Sequence, residues 1–304
     1  MKIVIAGGSG FLGKALVARL LEAGHTISVL SRNPSTAKQS LPNQVTVEQW
    51  DAKSVGEWAR VIDGADAVVN LTGESIGGKR WTKRQKELIM SSRIDSTRAI
   101  VEAIRHAKHR PRVLVNQSAV GYYGNVPFIP VEEDHPPGND FLSHVAVLWE
   151  SEAHKATEFG VRVVTPRTGV VLSTQGGALP RMLLPFKLYI GGPLGSGSQW
   201  FPWIHLDDEI GAMMFAIENE KLEGAVNFAA PGSVTMKEFC AALGKAMHRP
   251  SWAPVPGFVL KVILGEMAGP LLLSGQRVVP RKLIDAGYRF RFPTVHEALQ
   301  DVLK

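Results

Sequence analysis

Three glycines near the amino terminus have the spacing of a phosphate-binding turn. Gly7, Gly10 and Gly13 follow a short apolar run and precede an amphipathic stretch at residues 14–23. Such a turn lets the backbone approach a pyrophosphate, whose charge the free N–H groups and dipole of the following helix stabilise. The pattern predicts a dinucleotide site, and the alternative is a glycine-rich turn without a ligand.

The residues after the second apolar run bear on which dinucleotide binds. A site for NAD usually has Asp or Glu about 20 residues after the glycines, where it holds the ribose 2′-hydroxyl. This sequence has Ser31 and Arg32 there. A guanidinium and a hydroxyl can bind a 2′-phosphate, which a carboxylate would repel. We therefore predict NADP(H), and the alternative is an ordinary exposed loop arginine.

Asp51 follows a third strand pattern at residues 45–50. An acid at this point of a dinucleotide-binding fold often contacts the adenine amino group. A turn or a helix N-cap explains the residue equally well. Both interpretations remain open at the level of the sequence.

The elements that must position these residues alternate along the first half of the chain. Further strand patterns at residues 67–72, 113–118 and 161–165 are separated by helical patterns, which predicts an α/β fold with a Rossmann-type doubly wound parallel sheet. Ligands of such sheets bind outside the carboxyl ends of the strands. We therefore expect Gly73, Glu74, Ser118 and residues 167–171 to lie near one crevice.

Helical patterns are also found at residues 143–159, 209–218, 235–247 and 258–267. Thr82, followed three residues later by Gln85, predicts a capping box at a helix start. Beyond residue 172 the regular alternation of strands and helices fades. We predict an NADP-binding domain at residues 1–172 and a smaller substrate-side lobe at residues 173–304.

Bulk composition excludes several classes of protein. The net charge of +6 over 304 residues is mild, and the second of two small basic clusters, at residues 105–112, lacks the interleaved aromatic residues that nucleic-acid binding favours. The single cysteine, Cys240, excludes an internal disulfide framework. The apolar segment at residues 258–273 is too interrupted to cross a bilayer. We expect no nucleic-acid or membrane partner, a cytoplasmic location and, because His205, Asp207 and Asp208 have no further ligand cluster, no metal.

The chain resembles the extended short-chain dehydrogenase/reductase superfamily, and within it the atypical epimerase-family proteins that have a distinctive C-terminal segment. The resemblance rests on motifs along nearly the whole chain, at residues 7–13, 31–34, 70–74, 80–82, 92–93, 118–124, 167–172, 191–197, 203–208 and 275–280. It implies an NADP(H) site in the N-terminal lobe. The cofactor-binding residues that we expect are Gly7, Gly10, Phe11, Leu12, Gly13, Ser31, Arg32, Asp51, Leu71, Thr72, Gly73, Arg93 and Val171.

The catalytic residues depart from the superfamily pattern. The superfamily pairs a Tyr, which exchanges a proton, with a Lys four residues later on the helix after the fifth strand. Here the corresponding positions are Leu142 and Ala146, and neither can move a proton. The candidate replacements are Ser118, Tyr122 and Tyr123. A structural role for Ser118, and packing for both tyrosines, are the alternatives.

Two functions are consistent with these residues. The first is an NADP(H)-dependent reductase or epimerase that acts on a small carbonyl or sugar-like substrate. The second is a non-catalytic NADP(H)-binding sensor or partner-binding module. Both predict cofactor binding, and only turnover separates them. The sequence makes no prediction of the oligomeric state.

Overall fold

A parallel sheet of eight strands forms the centre of the molecule, which a computed structural model describes over residues 1–304. The strands of the chain are β1 (Lys2–Ala6), β2 (Thr26–Ser31), β3 (Thr46–Gln49), β4 (Ala67–Asn70), β5 (Val113–Asn116), β6 (Ser118–Ala119), β7 (Val126–Val131), β8 (Arg162–Thr168), β9 (Val170–Leu172), β10 (Trp200–Phe201), β11 (Trp203–His205), β12 (Gly224–Phe228), β13 (Val234–Thr235) and β14 (Gln276–Val278). In the central sheet the order is β12-β8-β5-β4-β1-β2-β3, with β6 also on β8, and every pairing is parallel. The Rossmann-type doubly wound sheet is confirmed.

The helices are α1 (Phe11–Glu22), α2 (Pro34–Ser40), α3 (Lys83–His106), α4 (Phe141–His154), α5 (Leu179–Lys187), α6 (Leu206–Glu218), α7 (Met236–Met247), α8 (Gly257–Leu264), α9 (Arg281–Asp285) and α10 (Val295–Val302). Short 3₁₀ turns follow α4 at Lys155–Phe159 and α8 at Gly265–Met267, so both helices end earlier than their sequence patterns predicted. None of these helices has the combination of length and hydropathy that a membrane span requires.

Alternate residues of β1 pack into different cores on the two faces of the sheet. Ile3 and Ile5 pack with buried residues of α1 and α6. Val4 and Ala6 point to the opposite face, where α3 and α4 cover them. This alternation follows from the two-residue period of a strand. The sheet is therefore buried on both faces, and its carboxyl edge is the surface left for a ligand.

The chain beyond residue 172 contributes to this sheet. Strand β12 pairs with β8 over five residues, and α6 packs against α1. Another core lies outside the sheet, where residues of α7 and α10 surround Trp203 and Phe201. The sequence-based division at residue 172 stays a prediction, and the central sheet includes residues from both sides of it.

The capping box predicted at Thr82 is only half formed. The Thr82 side chain accepts a hydrogen bond from the Gln85 backbone N–H and begins α3. The Gln85 side chain does not return to the cap; it donates to Glu74 Oε1 at 3.3 Å. A tertiary partner has replaced the local one, which links the start of α3 to the segment after β4.

Candidate functional site

The glycine turn joins β1 to α1 in a conformation that side chains would obstruct. Gly7 has a φ of 80°, and a Cβ atom on it would lie 3.0 Å from the carbonyl carbon of Leu71. A Cβ atom on Gly13 would lie 2.3 Å from the Gly7 carbonyl oxygen, so α1 can pack this close only with glycine there. Gly10 is the N-cap of α1, and no side chain caps the helix. The N–H groups of its first turn are left for a ligand.

A cleft of about 490 Å³ runs from this turn along the carboxyl edge of the sheet. Its lining comes from the ends of several strands and from α3: Gly7, Ser9, Gly10, Leu30, Ser31, Arg32, Asn33, Thr36, Ala37, Trp50, Asp51, Ala52, Lys53, Leu71, Thr72, Gly73, Glu74, Leu88, Ser91 and Ser92. Eight of the thirteen predicted cofactor residues therefore lie around one cleft. The other five are Phe11, Leu12, Gly13, Arg93 and Val171.

Ser31 and Arg32 lie at the end of β2, where the cleft opens to solvent. Ser31 is buried, and its hydroxyl accepts a hydrogen bond from the Asn33 backbone N–H at 3.2 Å. Arg32 is exposed, and its guanidinium makes no hydrogen bond or ion pair within the chain. An unpaired guanidinium beside a concave site is free to bind an anion.

Asp51 forms a turn of its own after β3. Its carboxylate accepts hydrogen bonds from the backbone N–H groups of Lys53 and Ser54, at 2.8 and 2.9 Å, and from the Ser54 hydroxyl. These bonds, the Ser54 hydroxyl foremost, lower the pKa of Asp51 to about 2. The turn interpretation of this residue is thus realised, and the adenine contact stays a prediction.

The segment after β4 is fixed by polar side chains, of which the buried Asn70, Ser96 and Asn116 were not predicted as site residues from the sequence. The Asn70 side chain donates to Asn116 Oδ1 at 2.7 Å and accepts from the Thr72 N–H at 3.2 Å. The Thr72 hydroxyl donates to Ser96 on α3 at 2.7 Å. Asn70 and Asn116 each end an apolar run in the sequence, and this pattern could have identified them. These bonds set the backbone of residues 71–73 along the cleft.

Arg93 supports this segment from behind and does not line the cleft. Its Nη1 donates to the carbonyl oxygens of Glu74 and Ile89, at 3.0 and 2.9 Å, and its guanidinium lies 5.0 Å from the Trp149 ring centre. A Cβ atom on Gly73 would lie 2.9 Å from Arg93 Cζ, so the backbone passes directly over the guanidinium. Burial lowers the pKa of Arg93 to about 10, which leaves it charged at neutral pH.

Phe11 and Val171 both lie beside Gly177, at the far end of the glycine turn. A Cβ atom on Gly177 would lie 3.3 Å from the Val171 carbonyl oxygen and 3.4 Å from the Phe11 ring. Leu12 is partly buried against the core beneath α1. The loop that precedes α5 therefore covers the start of α1 and bounds the site on this side.

Ser118 lies in a buried charged network. Its hydroxyl donates to Glu150 Oε1 on α4 at 2.6 Å. Both carboxylate oxygens of Glu150 accept from Arg167, at 2.9 and 2.8 Å. Ser118, Glu150 and Arg167 are all buried, with exposed fractions of 2%, 6% and 4%. The bidentate ion pair and its hydroxyl donor satisfy one another, as buried charges require.

Tyr123 extends the same network. Its hydroxyl donates to Asn227 Oδ1 at 2.6 Å and accepts from Arg167 Nη1 at 3.0 Å. Burial raises the pKa of Tyr123 to about 12. Tyr122 differs, because its hydroxyl has no partner within the chain, while its ring stacks at 3.4 Å under the Arg167 guanidinium. Of the three predicted catalytic hydroxyls, two are engaged in structure and one is free.

The positions of the missing Tyr–Lys pair are apolar in the structure. A Cβ atom on Gly121 would lie 3.4 Å from Leu142 Cβ, so this face of α4 lies beside the loop that holds the tyrosines. Ala146, one turn later, is buried. No titratable group stands at either position. No cluster of His, Cys, Asp or Glu with the arrangement of a metal site occurs.

The doubly wound sheet, the glycine turn and the cleft at the carboxyl edge define a dinucleotide-binding protein of the Rossmann class. Comparison with protein families makes this specific. The model of the NAD dependent epimerase/dehydratase family matches residues 3–229, and a domain of unknown function, DUF1731, matches residues 255–302. The chain belongs to the NAD-dependent epimerase/dehydratase family.

Relatives match over essentially the whole chain. Epimerase family protein YfhF of Bacillus subtilis is 40% identical over 100% of this chain and 98% of its own. The chloroplastic SDR39U1 homolog of Arabidopsis thaliana is 41% identical over 100% of this chain and 87% of its own. The crystal structure of human epimerase family protein SDR39U1 (isoform 2) with NADPH has a TM-score of 0.88 and 35% identity, and covers 99% of both chains.

Proposed function

We propose that this protein binds NADP(H) in the cleft and uses it as a reductase or epimerase of a small carbonyl or sugar-like substrate. The observation that carries the proposal is the unpaired Arg32 guanidinium at the mouth of a cleft that begins at the glycine turn. The NADPH in the structure of the human relative supports the same cofactor. A titration of the purified protein tests this step: we expect a lower Kd for NADPH than for NADH, and equal values would contradict it.

The residues fit the parts of this cofactor. The backbone at Gly7, Gly10 and Gly13 would hold the pyrophosphate, because none of the three has a side chain and no side chain caps the N–H groups at the start of α1. Ser31 and Arg32 would bind the 2′-phosphate, and Asp51 the adenine. The other contacts that we propose are Phe11, Leu12, Leu71, Thr72, Gly73, Arg93 and Val171. Arg93 would act through the backbone of Gly73, which it supports.

When bound, the cofactor supplies hydride chemistry at its nicotinamide ring. The protein must then move a proton to or from the substrate oxygen. Ser118 and Tyr123 hold their protons in hydrogen bonds to Glu150 and Asn227. Tyr122 is the one candidate hydroxyl without such a partner, and its ring lies against the Arg167 guanidinium. We therefore propose Tyr122 as the proton donor or base.

Tyr122→Phe should lower turnover by about 10²–10⁴-fold and leave the Kd of NADPH unchanged, because only the proton is lost. A panel of carbonyl substrates with NADPH gives the rates, and fluorescence titration gives the Kd. Tyr123→Phe is the matched control, since it removes a buried hydroxyl from the same loop. We expect it to reduce stability more than turnover. Full activity in Tyr122→Phe would exclude this tyrosine.

The second candidate function is that of a non-catalytic NADP(H)-binding module, and two observations support it. The Tyr–Lys positions hold Leu142 and Ala146, and two of the three replacement hydroxyls are engaged in structure. This function predicts NADPH binding without turnover of any carbonyl compound. Rates at the level of the buffer control, with NADPH shown to be bound, would favour it. The cytoplasmic location expected from the sequence stays a prediction.

A further inference from the structure

Two strand ends meet at the outer end of the cleft. The Trp50 backbone N–H donates to the Ser31 carbonyl oxygen at 3.2 Å, so β2 and β3 end side by side. Arg32 follows the first strand, and Lys53 follows the second by a few residues. Both residues line the same cleft, and both are exposed. Neither Arg32 nor Lys53 forms an ion pair or a side-chain hydrogen bond within the chain.

The acid between them is already satisfied. Both carboxylate oxygens of Asp51 accept hydrogen bonds from its own turn, through the N–H groups of Lys53 and Ser54 and the Ser54 hydroxyl. The turn is closed by Ala52 in a left-handed conformation, with a φ of 61°. The loop therefore has a fixed backbone, and the Lys53 ammonium stays unpaired although a carboxylate lies two residues away.

A phosphate monoester requires more than one positive charge. At pH 7 it carries about −1.5 to −2 charges, and a single guanidinium neutralises only one. A guanidinium forks onto two phosphate oxygens, whereas an ammonium on a long flexible stem acts as a point charge that can reach a third. Arg32 and Lys53 offer this combination from two adjacent strand ends.

We infer that Lys53 is a second cation for the adenosine 2′-phosphate and determines part of the preference for NADP(H) over NAD(H). The inference rests on the proposed cofactor function. Lys53 would act at the adenosine end of the cofactor, because its loop follows the edge strand β3, which β1 and β2 separate from β4 and the segment that follows it. There its ammonium would meet the 2′-phosphate, while Asp51 of the same turn would bind the adenine. Its removal should therefore change the binding of nucleotides that carry the 2′-phosphate and leave the others unaffected.

The experiment compares Lys53→Met with Lys38→Met. Lys38 is an exposed lysine of α2 that does not line the cleft, so it controls for the loss of one charge nearby. The Kd values of NADPH, NADH, 2′,5′-ADP and 5′-AMP are measured for wild type and both variants. We expect Lys53→Met to raise the Kd of NADPH and 2′,5′-ADP by about ten-fold, as for loss of a charge-assisted contact, with NADH and 5′-AMP unchanged. Lys53→Arg should retain the preference.

The outcomes separate the two proposals. An unchanged ratio of NADPH to NADH affinity in Lys53→Met, with the wild type binding NADPH, would overturn the role of Lys53 and leave the cofactor proposal intact. Equal losses of NADPH affinity in Lys53→Met and Lys38→Met would also overturn it, because the effect would then come from the overall positive charge of the surface and not from one contact. A wild type that binds neither NADPH nor 2′,5′-ADP would overturn the cofactor proposal and this inference with it.

Discussion

At the scale of single residues, Glu209 is an acidic residue that is completely buried. It lies on α6 and is 0% exposed, and its Oε1 accepts from the Thr168 hydroxyl at 2.8 Å. Its Oε2 has no partner, and neither has the buried Oε1 of Gln117, whose amide donates to the same Thr168 hydroxyl. Burial raises the pKa of Glu209 to about 8. The group is therefore mostly protonated at neutral pH, and a neutral acid can donate where a carboxylate cannot.

This pKa predicts a specific dependence of stability on pH. In the unfolded chain the Glu209 carboxyl ionises near pH 4.5, whereas the folded protein holds the proton to about pH 8. Between these values the unfolded state binds fewer protons, so the free energy of unfolding should fall by up to about 1.4 kcal/mol per pH unit as the pH rises. Below pH 4.5 and above pH 8 this contribution should be constant.

Glu209→Gln removes the titration and keeps a donor and an acceptor of similar shape. Urea unfolding at a series of pH values from about 4 to about 9 measures the effect, with wild type and variant compared at each pH. We expect the difference in stability between the two proteins to grow in favour of the variant as the pH rises towards 8. Curves that stay parallel across this range would show that Glu209 is ionised in the folded protein.

At the scale of the elements, the turn between β1 and α1 separates glycines needed for folding from glycines needed for a ligand. A Cβ atom on Gly13 would lie 2.3 Å from the Gly7 oxygen and 2.6 Å from Gly8 Cα, both of them backbone atoms. Gly10 has an ordinary φ of −78°, and a Cβ atom there would meet only the Gly7 oxygen, at 3.2 Å. The two positions thus form a matched pair on one helix turn.

Gly13→Ala should therefore lower the free energy of unfolding by about 1–3 kcal/mol, because the backbone must shift to admit the methyl group. Gly10→Ala should cost about 0.5 kcal/mol, as at an exposed position, and act instead on cofactor affinity. Urea unfolding and NADPH titration of both variants separate these effects. Equal stability losses at the two positions would contradict the close approach of α1 to the turn.

The sequence predicted the elements whose signals are local. The apolar runs of β1, β2, β4 and β5, and the glycine turn between β1 and α1, depend on neighbouring residues alone and were found at their places. Strand β12 was not predicted, because it lies beyond residue 172, where strands and helices no longer alternate regularly along the sequence. Its pairing with β8, rather than a local pattern, makes these five residues a strand.

The candidate site divides in the same way. Gly7, Gly10, Ser31 and Arg32 could be selected by spacing, and the structure brings them to one cleft. The engagement of Ser118 could not be predicted, because its partner Glu150 is 32 residues away and Arg167 a further 17. Only the fold brings these three side chains together, and no repeating pattern in the sequence indicates that they are in contact.

At the scale of the whole molecule, Asp208 ties the C-terminal segment to the centre. Its carboxylate accepts from the backbone N–H groups of Arg291 and Phe292, at 2.7 and 2.9 Å, and its carbonyl oxygen accepts from the Tyr288 hydroxyl at 3.0 Å. Asp208 is 1% exposed. These bonds join the start of α6 to the segment that leads into α10, and thus connect the sheet to the core outside it.

Asp208→Ala should leave two backbone N–H groups without an acceptor, at a cost of about 1–3 kcal/mol for the buried one on Phe292. We expect a lower midpoint of thermal unfolding and faster amide hydrogen exchange at residues 288–303. Asp207→Ala is the control, because Asp207 pairs with Arg291 on the surface and that pair is worth little. Unchanged exchange at residues 288–303 in Asp208→Ala would show that other contacts hold the segment.

The position of β12 late in the sequence has a consequence for folding during synthesis. A ribosome delivers the glycine turn and β8 well before β12, and β12 begins 56 residues after β8 ends, between Thr168 and Gly224. At about 5–20 residues per second, the outer edge of β8 waits about 3–11 seconds for its neighbour. During that interval the nascent sheet offers open backbone hydrogen-bonding groups to any other strand nearby. The open edge of β8 is therefore a risk for mispairing during synthesis that pairing with β12 removes in the finished protein.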